Sequence, residues 1–153
     1  MEKNQDLKIE RHGSDMDLRT FLSQTFVVYM KTYALHWNYE GPRFYGVHHL
    51  TEMQYQDMAE AIDQIAERMR ALGNEAPVSL KQILEHSDMK EYKAHADNDS
   101  SLKELVQAHR QLSQMAKAIA SSAEKMDDAY SHDLLVQRSG AHDKFAWMLQ
   151  SLL

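Results

Sequence analysis

The sequence predicts an all-α fold: a four-helix bundle whose two helix pairs are joined by a long crossover connection carrying a short helix. Three observations predict it. Gly numbers 5 and Pro 2 in 153 residues, too few for a turn-rich β protein, and the good helix formers Ala, Leu, Met, Glu, Gln and Lys dominate. Apolar residues recur at helical spacing in four long stretches. Turn and capping signals separate those stretches, and only the middle gap, residues 74–99, is long.

Residues 1–15 form a short polar tail ahead of one bundle domain, 16–153. Lys3, Lys8 and Arg11 in the tail are offset by Glu2, Asp6, Glu10 and Asp15, so it reads as a solvated arm. The first helix is expected over 16–39, on the stripe Leu18, Phe21, Leu22, Thr25, Val28, Thr32 and Leu35. Phe26, Val27, Met30, Tyr33 and Trp37 widen its apolar surface beyond what one bundle needs, which points to an oligomer. Gly41-Pro42 breaks the chain. The second helix is expected over 47–72, with Val47, Leu50, Met58, Ile62, Ile65 and Met69 inward and Gly73 as its C-terminal cap. Ser79-x-x-Gln82 caps a short helix reaching about His86. Ser101-x-x-Glu104 reads as the capping box of the third long helix. Asp127-Asp128 ends that helix, and the fourth takes 130–152. Gly140 inside it costs about 1 kcal/mol against Ala and suggests a close helix contact.

Composition narrows the function. No apolar run approaches the length of a membrane span, and Met1 to Asp6 contain no hydrophobic signal segment. The absence of Cys removes disulfides, thiolate metal sites and thiol nucleophiles. A cytoplasmic location is the expectation. The formal charge of −6 argues against general affinity for nucleic acid. Nine His and 23 acidic residues supply nitrogen and oxygen ligands of the type that suits Fe, Mn or Zn. There is no His-Glu-x-x-His of a zinc protease, no Glu-x-x-His of an in-bundle di-iron site, no phosphate loop and no nucleophile elbow.

The chemistry concentrates between His36 and Glu67. His48 and Glu52 are four residues apart, as are Asp63 and Glu67, so each pair shares a helix face. Glu52 and Asp63 point within about 20° of each other but lie roughly 16 Å apart along one helix axis. Metal–ligand bonds are about 2 Å long, so both pairs cannot grip one ion from a single helix. Two antiparallel copies related by a two-fold axis could bring the first pair of one beside the second pair of the other. His49 points about 100° away from His48 and falls outside the set. His86, His95, His109, His132 and His142 are scattered and read as structural or surface residues.

His36-Trp37, Gly41-x-x-Phe44-x-x-x-His48, Asp63 and Ala66-Glu67-Arg68 resemble the Dps proteins, the mini-ferritins of bacteria and archaea. The C-terminal run His142 to Leu149 extends the resemblance over most of the chain. One position departs: the family usually has Asp where this chain has Glu52, whose carboxylate reaches about 1.5 Å further. The resemblance implies a ferritin-like bundle assembled into a hollow homo-dodecamer. Fe(II) would be the substrate, oxidised preferably by hydrogen peroxide and stored as ferric mineral, so that DNA is protected. It implies His36, His48 and Glu52 of one subunit facing Asp63 and Glu67 of its neighbour as iron ligands. Trp37 is either an electron donor or a packing aromatic. Glu124, Asp128 and Asp133 lie where the family places acidic iron-entry pores; an ordinary capped helix start would also explain them. Some Dps proteins bind DNA through a lysine-rich tail, and the neutral tail here predicts weak binding. Two other functions compete: a nucleoid DNA-binding scaffold, and a structural bundle without metal.

Overall fold

Four long helices run alongside one another in the computed structural model, which describes residues 14–92 and 97–153. Residues 1–13 of the polar tail, with Lys3, Lys8 and Arg11, lie outside the described residues, as does His95, whereas Asp15 belongs to the first turn of α1. Helix α1 is Ser14–Asn38, α2 Phe44–Ala71, α3 Leu80–Glu85, α4 Asn98–Lys125 and α5 Ala129–Gln150. None of these helices is long and apolar enough to cross a membrane.

Contacts at the two ends give the topology. At one end, Arg43 at the head of α2 donates to the Leu152 carbonyl beyond α5 at 2.8 Å and pairs with Asp99 in the first turn of α4 at 2.5 Å. At the other, Arg68 near the end of α2 reaches Asp128, which caps α5, at 2.6 Å. Thus α2 and α4 run the same way, with α1 and α5 opposed to them. The segment between α2 and α4 must travel the length of the bundle, roughly 40 Å for 28 helical residues. That is the crossover expected from the long middle gap, and α3 rides on it against α1.

The helix ends have local causes. Gly73 has φ of 85°, and Asn74 N–H donates to the Met69 carbonyl at 2.9 Å; this left-handed closure is the expected glycine cap. Ser79 accepts from the Gln82 N–H, as its spacing predicts. Asp127, with φ of 58°, makes the sharp break between α4 and α5.

Two expectations need correction. The cap of α4 is Asp97, whose side chain accepts from the Ser100 N–H at 2.9 Å. Asp caps as well as Ser does, and this hydrogen bond holds the Asp97 carboxyl below its usual range. Ser101 is instead buried inside the helix, and Glu104 pairs with Lys31 of α1. Gly140 makes no close helix contact: a Cβ there would meet nothing within 4 Å.

Phe21, Val28, Met58, Ile65, Leu105 and Leu135 are among the residues of the central core. Among the described residues four ion pairs cross from the α1–α2 hairpin to the α4–α5 hairpin: Lys31–Glu104, Arg43–Asp99, Arg68–Asp128 and Arg138–Asp57.

Candidate metal centre

The C-terminal turn of α1 and the first turns of α2 meet at the Gly41 bend, where φ is 117°. This hairpin lays the His36 ring on the His48 ring, with centroids 3.8 Å apart and planes at 14°. Each ring bonds the other's backbone. His36 Nδ1 lies 2.9 Å from the His48 carbonyl oxygen, and His48 Nδ1 lies 3.0 Å from the His36 carbonyl oxygen. A carbonyl only accepts, so in both rings Nδ1 carries the hydrogen. The neutral tautomer then leaves a lone pair on both Nε2 atoms. Neither Nε2 has a hydrogen-bond partner among the described residues. A ring held by Nδ1 with a free Nε2 is the usual form of a metal-binding histidine.

Thr51 completes the clamp. Its hydroxyl donates to the Val47 carbonyl at 2.6 Å, so it accepts from His36 Nδ1 at 3.1 Å. The His36 side chain is thereby fixed although the residue is 8% exposed. Phe44 stacks on the outer side of His48, centroids 5.0 Å apart. The sequence reading missed Thr51; its position three residues after His48, one turn into an amphipathic helix, was the available signal.

Glu52 follows His48 by one turn and is partly exposed. His49 Nδ1 lies 3.9 Å from its Oε2, a contact the helix-wheel argument did not foresee. Asp63 and Glu67 are exposed on the same unbroken helix, and neither makes an ion pair or hydrogen bond among the described residues. Since α2 is continuous from Phe44 to Ala71, the separation of roughly 16 Å between Glu52 and Asp63 stands. One chain therefore brings His36 and His48 together, with Glu52 one helical turn further along α2, and leaves Asp63 and Glu67 farther down the same helix. Among the described residues no three metal-ligating side chains of a single chain converge.

Trp37 is 60% exposed, outside the bundle core, with its ring 4.9 Å from Tyr33. Asp128 is engaged locally: it accepts from the Ser131 N–H at 3.0 Å and from Arg68. Asp133 accepts from Gln137 at 2.9 Å and Glu124 is exposed.

Comparison with known proteins agrees with this architecture. The family model of the ferritin-like domain matches residues 17–153. An uncharacterized low temperature-induced protein of Nostoc sp. is 31% identical over 146 residues, covering 94% of this chain and 82% of that protein. The DNA protection during starvation protein of Helicobacter pylori is 28% identical over 137 residues, 89% of this chain and 95% of that one. Among solved structures, Dps from Vibrio cholerae is described as a member of a broad superfamily of ferritin-like diiron-carboxylate proteins. It matches with TM-score 0.84 and 28% identity over 90% of this chain and 87% of that chain.

Proposed function

The chain belongs to the ferritin-like family and, within it, to the Dps proteins, and from that premise we propose that it is an iron-storing ferroxidase whose sites are shared between subunits. The observation that carries this reading is the histidine pair: two imidazoles locked through Nδ1, each with an unused Nε2 lone pair, one helical turn from Glu52. His36, His48 and Glu52 of one subunit bind Fe(II) with Asp63 and Glu67 supplied by the two-fold neighbour. Imidazole suits Fe(II), and the hard carboxylates favour the Fe(III) product.

Iron is the substrate and hydrogen peroxide the oxidant. Two Fe(II) each give one electron to one peroxide, which takes up two protons and becomes two waters, so no hydroxyl radical escapes. The ferric product is stored inside a closed homo-dodecamer. Exposed apolar side chains support such an assembly: Val78 at 71% and Leu80 at 67% exposure stand on the crossover, with Met30 and Leu84 nearby. An acidic entry route would use Glu124 and Asp133. Asp128 contributes there only beyond its bonds to Arg68 and the α5 N-terminus. The protective role follows the H. pylori relative's name. The net charge supports shielding of DNA by iron removal rather than tight binding, in a cytoplasmic or nucleoid setting.

Complementation tests the shared site. His48→Ala and Asp63→Ala assemblies should each lose ferroxidase activity. Co-refolding them in equal amounts makes half of the dimers mixed, each with one intact site of two, so roughly a quarter of all sites should recover. No recovery, with assembly confirmed by sedimentation, would sink the intersubunit reading.

A further inference from the structure

Far from the His36–His48 clamp, polar atoms stand unpartnered in the middle of the bundle. Oε1 and Nε2 of Gln54, Nε2 of His109, Nε2 of His142 and Nε of Arg138 are buried without a hydrogen-bond partner among the described residues. Gln54 faces inward on α2 with Thr51 and Met58 at helical spacing, all three 0% exposed. His109 and His142 are equally buried.

The ion pair between Asp57 of α2 and Arg138 of α5, at 2.6 Å, places these groups relative to one another. From that pair Gln54 lies three residues back along α2, and His142 lies four residues on along α5. The two helices run antiparallel, so both steps go the same way, by roughly 4.5 Å and 6 Å. Gln54 and His142 therefore stand within about 1.5 Å of the same level along the bundle. His109 of α4 is beside His142, Nδ1 3.0 Å from Nδ1.

That Nδ1 contact fixes what the outer nitrogens require. One ring donates through Nδ1 and keeps a lone pair on Nε2; the other accepts through Nδ1 and carries its hydrogen on Nε2. The site thus presents donors (one imidazole N–H, the Gln54 amide nitrogen and Arg138 Nε–H) and acceptors (the other Nε2 and Gln54 Oε1). A cation would face the donors, and an anion would face the lone pairs. A neutral molecule that both donates and accepts suits the whole set. Phe21 and Phe145 set their rings against the histidines and offer no hydrogen-bonding group of their own. Gln54 has no direct hydrogen bond to either ring, so the gap between them exceeds hydrogen-bond reach. Water bridges polar groups across gaps of that kind.

We infer that the bundle binds ordered water at this level, bridging the Gln54 amide of α2 to the His109–His142 pair of α4 and α5. A buried water takes two to four polar partners, and the groups named supply them. Left dry, each would carry its full desolvation penalty, and together these penalties would offset much of the net stability of a domain. The water joins the two hairpins through their centre, where the apolar side chains around it cannot. It is a structural ligand and does not depend on the ferroxidase reading.

The test uses the intact assembly. A high-resolution crystal structure should show ordered water within hydrogen-bond distance of both the Gln54 amide and a histidine Nε2. Neutron diffraction should show hydrogen on one Nε2 and none on the other. Gln54→Met keeps the length of the side chain and removes the amide. If water bridges the site, the urea midpoint at matched protein concentration should fall by about 0.5 M, and the bridging density should disappear. If the amide is dry, the same substitution removes an unsatisfied group and the midpoint should rise. A raised or unchanged midpoint would overturn the proposal. So would wild-type density with no water between Gln54 and the rings, or hydrogen on both Nε2 atoms. Should Gln54→Met not assemble, the wild-type structure decides alone.

Discussion

Among the described residues two stacked histidine pairs, His36–His48 and His109–His142, have opposite chemistry. In the His36–His48 pair each Nδ1 bonds a backbone carbonyl, so both rings adopt the same tautomer and both Nε2 lone pairs are free. In the pair formed by His109 of α4 and His142 of α5, Nδ1 lies 3.0 Å from Nδ1. One ring must donate and the other accept, so the rings are different tautomers and only one Nε2 keeps a lone pair. Both Nε2 atoms are buried without a protein partner. The guanidinium of Arg138 is close enough to disfavour charge on either ring, and it would repel a metal cation in the same way. Ring stacking alone therefore does not make a metal site; what Nδ1 bonds decides which pair can ligate.

The comparison can be broken most severely at the proposed ligands. His48→Ala should cut Fe(II) oxidation by more than about a hundredfold, beyond the loss typical of outer partners. His142→Gln should retain it. Equal losses in stopped-flow assays of the two assemblies would erase the distinction.

Acid should act on the other pair. Burial, then Arg138, pushes His109 down to about 3. Burial, then His109 and Arg138, holds His142 well below its usual range. The groups facing the pair are Phe21 of α1, Phe145 and Arg138 of α5, and Asp57 of α2 through its ion pair with Arg138. The unfolded histidines take up protons below about pH 6.5 while the folded ones resist until far lower pH. Their stabilisation is thus complete above about pH 6.5 and lost as pH falls toward 3. The slope should be about 1.4 kcal/mol per pH unit for each histidine that must charge. Urea midpoints measured from neutral pH to about pH 5 should show it, and His142→Gln should flatten it. An unchanged slope would mean that other groups set the acid limit.

A smaller effect is expected at Thr51. Thr51→Val keeps the shape but removes one of the two acceptors for His36 Nδ1, and should weaken Fe(II) binding about tenfold, within the range for outer partners. Titration calorimetry under anaerobic conditions would measure this, and no change would show that the His48 carbonyl alone holds the ring. His49 should matter least. Its contact with Glu52 is exposed at both partners, and exposed pairs contribute up to about 1 kcal/mol. His49→Ala should change Fe(II) affinity by less than about fivefold; a larger loss would bring His49 into the ligand set.

Much of this was legible before the structure. The stripe Leu18, Phe21, Leu22, Val28 and Leu35 is buried as its spacing requires, and Ser79 and Gly73 act where their turn chemistry places them. The spacing of His48, Glu52, Asp63 and Glu67 gives their separation, because a continuous helix has one rise per residue. The opposing Nδ1 bonds were hidden, since they depend on how two helices approach across the Gly41 bend. His109 and His142 are 33 residues apart on neighbouring helices, and no periodicity relates them. The start of α4 was misread because Asp97 and Ser101 both offer capping oxygens and only tertiary packing selects between them. Ser101 is drawn inside, where its carbonyl accepts from the Tyr92 hydroxyl at 2.8 Å.

The four ion pairs between the hairpins act as a ruler. Apolar helices packed side by side can slide by one turn, about 5.4 Å, with modest loss of contact. Here such a slip would displace Lys31, Arg43, Arg68 and Arg138 from their carboxylates together, leaving several partly buried charges unmatched. Uncompensated buried charge is far costlier than a lost exposed pair. Docking of the two hairpins is thus set in one register. The His36–His48 clamp lies wholly within the first hairpin, so a misdocked chain would still carry the finished clamp with the wrong second hairpin behind it.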